Sequence, residues 1–253
     1  MKKNSFLGIV LQILVVLVFL MCLYLFIQDK EVQVENQSSN EISVQSTETS
    51  SSQVSESENG LPSVLSSDWE LVLVNRDNIT EELNPEVTEI EGIPVDSRIA
   101  ENVLNFLAAA RTIDANEYLI SGYRSVAYQE ELYDYYVQQE IANDPSLTQE
   151  GAEEVVQTYS QPAGASEHQT GLAIDMSNVA SLNESDPDVV QQIKELAPDY
   201  GFVLRFADDK RESTGIGYED WHYRYVGVES AKYMTEHNLS LEEYIAVLKE
   251  SGK

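Results

Sequence analysis

The chain has 253 residues, of which 44 are acidic and 15 basic, for a formal net charge of -29. So negative a chain repels nucleic-acid phosphates and anionic lipid headgroups, which argues against both as electrostatic partners. With 42% hydrophobic and 23% charged residues it suits one folded domain with appendages, and the single Cys22 excludes an intrachain disulfide.

In chain order, the first feature is an uncharged run over residues 6–27 in which only Gln12 is strongly polar. A helix of about 22 apolar residues is long enough to span a bilayer. Lys2 and Lys3 precede it, so residues 1–5 are expected in the cytoplasm and the rest of the chain outside. A cleaved signal peptide fits less well, because the run is long and no small-residue cleavage pattern follows. Lipidation at Cys22 fits less well too, since bulky Met21 precedes it and apolar residues continue beyond. The expectation is a single-pass anchor in the cell membrane. Residues 28–67 are rich in Ser, Thr, Gln, Asn and Glu. They cannot bury enough apolar surface to offset ordering entropy and are expected to be a disordered tether. No internal repeat is visible, and one folded domain is expected over residues 68–253.

Within that domain the patterns predict an α+β fold, a small antiparallel sheet flanked by helices. Residues 69–74 (Trp-Glu-Leu-Val-Leu-Val) predict a first strand. Residues 98–111 predict a helix with Ile99, Val103, Phe106, Leu107 and Ala110 on one face. Residues 118–120 predict a short strand leading to a loop that carries Arg124. Ser125 reads as the N-cap of the next helix, whose Tyr128, Leu132, Tyr135 and Tyr136 are expected to form a core face rather than a sugar-stacking stripe. Residues 148–158 predict another helix. Strands are expected over 172–176, 202–206 and 222–226, with a helix over 187–200 between the first two. Helices over 230–237 and 240–249 close the chain.

The chemistry is concentrated in two stretches, Ser166-Glu167-His168-Gln169-Thr170-Gly171-Leu172-Ala173-Ile174-Asp175 and Glu219-Asp220-Trp221-His222. The chain has 3 histidines, and two of them lie in these stretches with carboxylates beside them. The third, His237, reads as a surface residue at a helix end. Two imidazoles and a carboxylate can hold a zinc ion and leave a coordination position open for water. Each residue alone has a bland reading: a hydrogen-bonded histidine, a strand-ending aspartate, a solvated loop glutamate. Their joint occurrence shifts the balance, because Asp175 falls on an apolar strand where an unpaired charge is costly. Glu219, three residues before His222, could serve as a proton-transfer group.

Ser121-Gly122-Tyr123-Arg124-Ser125, then the His168–Asp175 stretch, then the Glu219–His222 stretch occur in the order found in the VanY-type zinc carboxypeptidases. The resemblance covers roughly residues 68–244. Those enzymes trim D-alanine from peptidoglycan stem peptides, and the fold is shared with D-alanyl-D-alanine dipeptidases and the hedgehog signalling domain. By position, the resemblance implies one zinc ion on His168, Asp175 and His222, with Glu219 as catalytic base. It implies Arg124, Gln129 and Ser166 as substrate-binding residues. Arg124 suits a terminal carboxylate because a planar guanidinium grips it through two parallel hydrogen bonds; the competing reading is a structural salt bridge in an acidic domain. Tyr223 stands where many relatives have Phe. The implied function is removal of a C-terminal D-alanine, with D,D- and L,D-cleavage both open, by a monomer. The alternative is a non-catalytic binder of wall peptides on the same fold.

Overall fold

The computed structural model describes residues 60–253. The expected anchor at 6–27 and the tether up to residue 59 lie outside them. Among the described residues no helix is long and apolar enough to cross a membrane.

The first named strands form a hairpin the sequence did not announce, β1 (Val87–Ile90) and β2 (Ile93–Asp96), joined at Glu91-Gly92. Both turn residues have positive φ, 53° and 86°, as a two-residue hairpin turn requires. A 3-10 turn at Ser97–Ile99 leads into α1 (Ala100–Ile113), and Ile99, Val103, Phe106, Leu107 and Ala110 are all buried as their spacing predicted.

Four antiparallel strands make the main sheet in the order β3 (Tyr118–Ser121), β4 (Ala173–Ser177), β6 (His222–Tyr225), β5 (Phe202–Leu204). Side chains alternate across a strand, so the sheet has two unlike faces. Ile174, Met176, Leu119 and Tyr223 pack with α1 in the main core, where Phe106 stacks on Phe202 at 5.0 Å and meets Tyr223 edge-on at 5.1 Å. Asp175, His222 and Arg224 occupy the other face.

Two helices, α2 (Val126–Asn143) and α3 (Gln149–Val156), pack on each other through Tyr133, Val137, Ala152 and Val156. Ser125 caps α2 by accepting from Tyr128 N at 3.1 Å, as expected. The tyrosine face of α2 is not the expected one: Tyr128 and Tyr135 are both 57% exposed, and the buried side is Gln129, Tyr133 and Val137. Tyrosine tolerates either environment, so its spacing does not mark a core side.

The chain continues through α4 (Pro187–Leu196), a one-turn α5 (Arg211–Thr214), α6 (Val228–Glu236) and α7 (Leu241–Glu250). The last begins with a capping box, Ser240 and Glu243 each satisfying the other's backbone. The expected helix over 187–200 ends as a 3-10 turn, Ala197–Tyr200. A second core joins α6 and α7 to Leu61, Leu71, Val203 and Val226.

Two expectations at the start of the domain need correction. The apolar run at 69–74 forms no strand: Trp69–Leu71 is a 3-10 turn, with Leu71 and Val74 buried. Its carbonyls are claimed by a side chain, since Arg224 Nη2 donates to Glu70 O at 2.9 Å and Val72 O at 2.8 Å. Packing also begins ahead of residue 68. Leu61 is buried, and the Nζ of Lys253 donates to the carbonyls of Leu61 and Pro62 at 3.3 and 2.6 Å.

Candidate metal centre

The motif around His168 folds as a 3-10 turn, Glu167–Thr170, ended by Gly171 in the left-handed region at φ 69°. That reversal places His168 over the start of β4 and lets Asp175 rise from the same strand. Asp175 is the cross-strand partner of His222 on β6, so the sheet register brings the distant motif to the first.

Nδ1 of His168 lies 2.7 Å from Gly122 O, which turns Nε2 toward Asp175 Oδ2 at 3.3 Å. His222 is oriented the opposite way. Its Nδ1 lies 3.2 Å from Asp175 Oδ1 and 3.7 Å from Glu219 Oε2, while its Nε2 faces Glu167. Ligand atoms of His168, Asp175 and His222 all lie within 4.8 Å of one another. Asp175 Oδ1 is buried without a hydrogen-bond partner. Oxygen and imidazole nitrogen that face each other without hydrogen-bond alignment, beside a stranded buried acceptor, suit a shared cation. Two nitrogens and a carboxylate oxygen fit zinc.

The electrostatics of these groups agree. Burial works to raise Asp175, yet the His168 and His222 imidazoles hold it well below the usual carboxylate range. Burial disfavours a charged His168 and lowers it. Burial works to lower His222 too, but the Asp175 and Glu167 carboxylates beside it outweigh that and push it up to about 9. Burial pushes Glu219 up to about 8, with Asp175 and Glu167 adding to it and His222 opposing. A divalent cation among these groups replaces the imidazole proton and favours both carboxylates in their charged form.

Glu219, His168 and His222 line one cavity of about 370 Å³ together with Arg124, Ser166 and Tyr136. Glu219 is set by its backbone N–H donating to Phe206 O at 3.0 Å. Arg124 is tied to the metal motif by its own N–H, which donates to His168 O at 3.1 Å. Its guanidinium donates to Gln129 Oε1 at 2.7 Å and Ser121 Oγ at 3.1 Å, both neutral. Among the described residues it forms no ion pair, so the structural salt bridge weighed from the sequence is not what holds it. Gln129 is buried, and its Nε2 is spent on Gln161 O and Ser160 Oγ. Both ends of that amide are engaged within the protein, so its contact is with Arg124. Ser166 is buried at the cavity wall. His237 is exposed at the end of α6, away from this group.

Three residues escaped the sequence reading: Glu167, Arg205 and Arg224, all buried, with both arginines paired to the one glutamate. A signal was available. Arg224 alternates with His222 on the same strand face, and a charge at such a position needs a buried partner.

The VanY family profile, described as D-alanyl-D-alanine carboxypeptidase, matches residues 92–228. The chain belongs to the VanY family. It is 36% identical over 180 residues to a D-alanyl-D-alanine carboxypeptidase of Enterococcus faecalis, covering 70% of this chain and 66% of that one, just under two thirds of its length. A vancomycin-resistance D,D-pentapeptidase VanY variant from a VanB-type cassette, solved in complex with Zn(II), superposes with TM-score 0.63 at 33% identity over 70% of this chain and 99% of that one. An L,D-carboxypeptidase, DacB of Streptococcus pneumoniae, gives 0.56 at 29%, covering 68% and 84%.

Proposed function

We propose that this domain is a zinc carboxypeptidase that removes the terminal D-alanine from peptidoglycan stem peptides ending in D-Ala-D-Ala. The observation that carries the reading is the buried His168, Asp175 and His222 group beside Glu219, in a cavity where Arg124 presents a guanidinium held only by neutral partners. The D,D bond is favoured because identity and superposition are both higher with the D,D-pentapeptidase than with the L,D-enzyme.

His168, His222 and Asp175 would hold the zinc, which when bound would supply a Lewis acid for the scissile carbonyl and make water a usable nucleophile near neutral pH. Glu219 takes the proton from the attacking water and delivers it to the leaving amine nitrogen. Arg124, aimed by Gln129 and Ser121, grips the terminal carboxylate, so only the last peptide bond reaches the reacting groups. Ser166 offers a hydroxyl to the peptide from the cavity wall.

Glu219→Gln keeps size but removes basicity. Zinc content is expected to stay near one per chain while kcat falls by roughly a hundredfold or more. Elemental analysis with release of D-alanine from pentapeptide and tetrapeptide stems checks this. An undiminished kcat removes Glu219 from the mechanism, and preferential cleavage of the tetrapeptide replaces D,D- with L,D-specificity.

A further inference from the structure

Glu167 takes no part in the scheme above, yet its carboxylate is buried at 4% exposure and fully occupied. Its two oxygens are used differently. Oε1 accepts from Arg205 Nε at 2.8 Å and from Arg224 Nη1 at 3.0 Å. Oε2 faces His222 Nε2 at 3.4 Å. Behind this, Arg205 forks onto both oxygens of Glu242 at 2.7 and 2.9 Å. Arg224 is pinned by the carbonyls of Glu70, Val72 and Tyr225.

Burying three charges and half-burying a fourth is costly, and replacing such a group with apolar side chains often leaves stability unchanged or improved. Stability therefore gives no reason for this arrangement. Its geometry does: two fixed guanidiniums leave one carboxylate oxygen pointed at one imidazole nitrogen. An anionic acceptor at Nε2 holds the proton there and leaves the Nδ1 lone pair facing Asp175 and the cavity. It also makes Nδ1 a stronger donor. His168 has only the neutral carbonyl of Gly122 behind it, so the two imidazoles are unequal by construction.

We propose that Glu167 is a positioning residue that fixes His222 as an Nδ1 donor and strengthens its hold on the metal, with Arg205 and Arg224 fixing Glu167 in turn. This rests on the zinc reading above. Glu242 supplies the control, because it shares Arg205 with Glu167 but does not touch His222.

The test measures zinc affinity by chelator competition on the purified full-length chain as wild type, Glu167→Gln and Glu242→Gln. Glu167→Gln is expected to weaken zinc by about 10- to 100-fold and Glu242→Gln by no more than about threefold. Equal weakening in both, or none in Glu167→Gln, overturns the inference and leaves the zinc reading standing. A wild type that binds no zinc overturns both. Should Glu167→Gln not fold, long-range proton–nitrogen correlation on the zinc-loaded wild type decides. Metal-bound Nδ1 with protonated Nε2 on His222 is the expected pattern, and metal-bound Nε2 overturns the inference.

Discussion

Arg124 and Glu117 show how much a single side chain depends on who faces it. Arg124 keeps its charge available because its partners, Gln129 and Ser121, are neutral. Glu117 is the opposite case, an acid just ahead of β3 for which no cation among the described residues is close enough to pair. Burial pushes its carboxyl up to about 7, Asp114 and Asp220 add to this, and Arg111 only partly offsets it. The folded chain therefore keeps this proton to about pH 7, whereas the unfolded chain releases it near 4.5. Between those values the folded state binds more protons, so this group's contribution to stability falls as pH rises through the window. The accumulated penalty above it is about 3 kcal/mol. Glu117→Gln is expected to stabilise the domain by about that amount at pH 8 and by almost nothing at pH 4. Denaturant unfolding at the two pH values checks this, and an equal effect at both contradicts it.

Among the elements, the turn at Gly171 carries the most consequence, because His168 lies before it and Asp175 after. Its φ of 69° suits glycine, and an added Cβ would sit 2.9 Å from the backbone nitrogen of Asp96. Gly171→Ala is expected to cost about 2 kcal/mol or more and to weaken zinc binding as well, since both flanking ligands shift. Unchanged unfolding and unchanged metal content together would contradict that. Elements with strong periodicity were readable in advance: α1 through its apolar face, α2 through its Ser125 cap, β4 and β6 through their apolar or alternating runs. The failures share a cause, in that a distant residue decided the outcome. Arg224 captures the carbonyls of Glu70 and Val72, so an apolar run with every strand propensity becomes a turn. The β1–β2 hairpin turns on Glu91-Gly92, where Glu is not among the residues that ordinarily signal positive φ. On α2, Tyr133 rather than Tyr128 meets α3, a difference of helical phase that tyrosine spacing alone does not encode.

Across the whole molecule, a metal group is assembled from a 3-10 turn and two strands, β4 and β6. The 3 histidines made the two ligand imidazoles conspicuous in the sequence, and Asp175 followed from a charge on an apolar strand. Of the residues that support them, Arg224 carried a signal in sharing a strand face with His222, whereas Glu167 and Arg205 were not legible, because a buried ion pair is a property of contact rather than of order. The net charge of -29 adds a diffuse effect, raising the local concentration of divalent cations around the chain. It also disfavours an anionic substrate unless a specific cation receives it, the role proposed for Arg124 in the cavity. The proposed function requires that a free C-terminal carboxylate be bound before the peptide is cut. Its most direct test is the rate of D-alanine release from a stem pentapeptide compared with loss of D-alaninamide from the same peptide amidated at its C-terminus. A charge-assisted bidentate contact of about 3 kcal/mol predicts that amidation lowers kcat/KM about a hundredfold. Equal kcat/KM for the free and amidated peptides would contradict the carboxypeptidase reading.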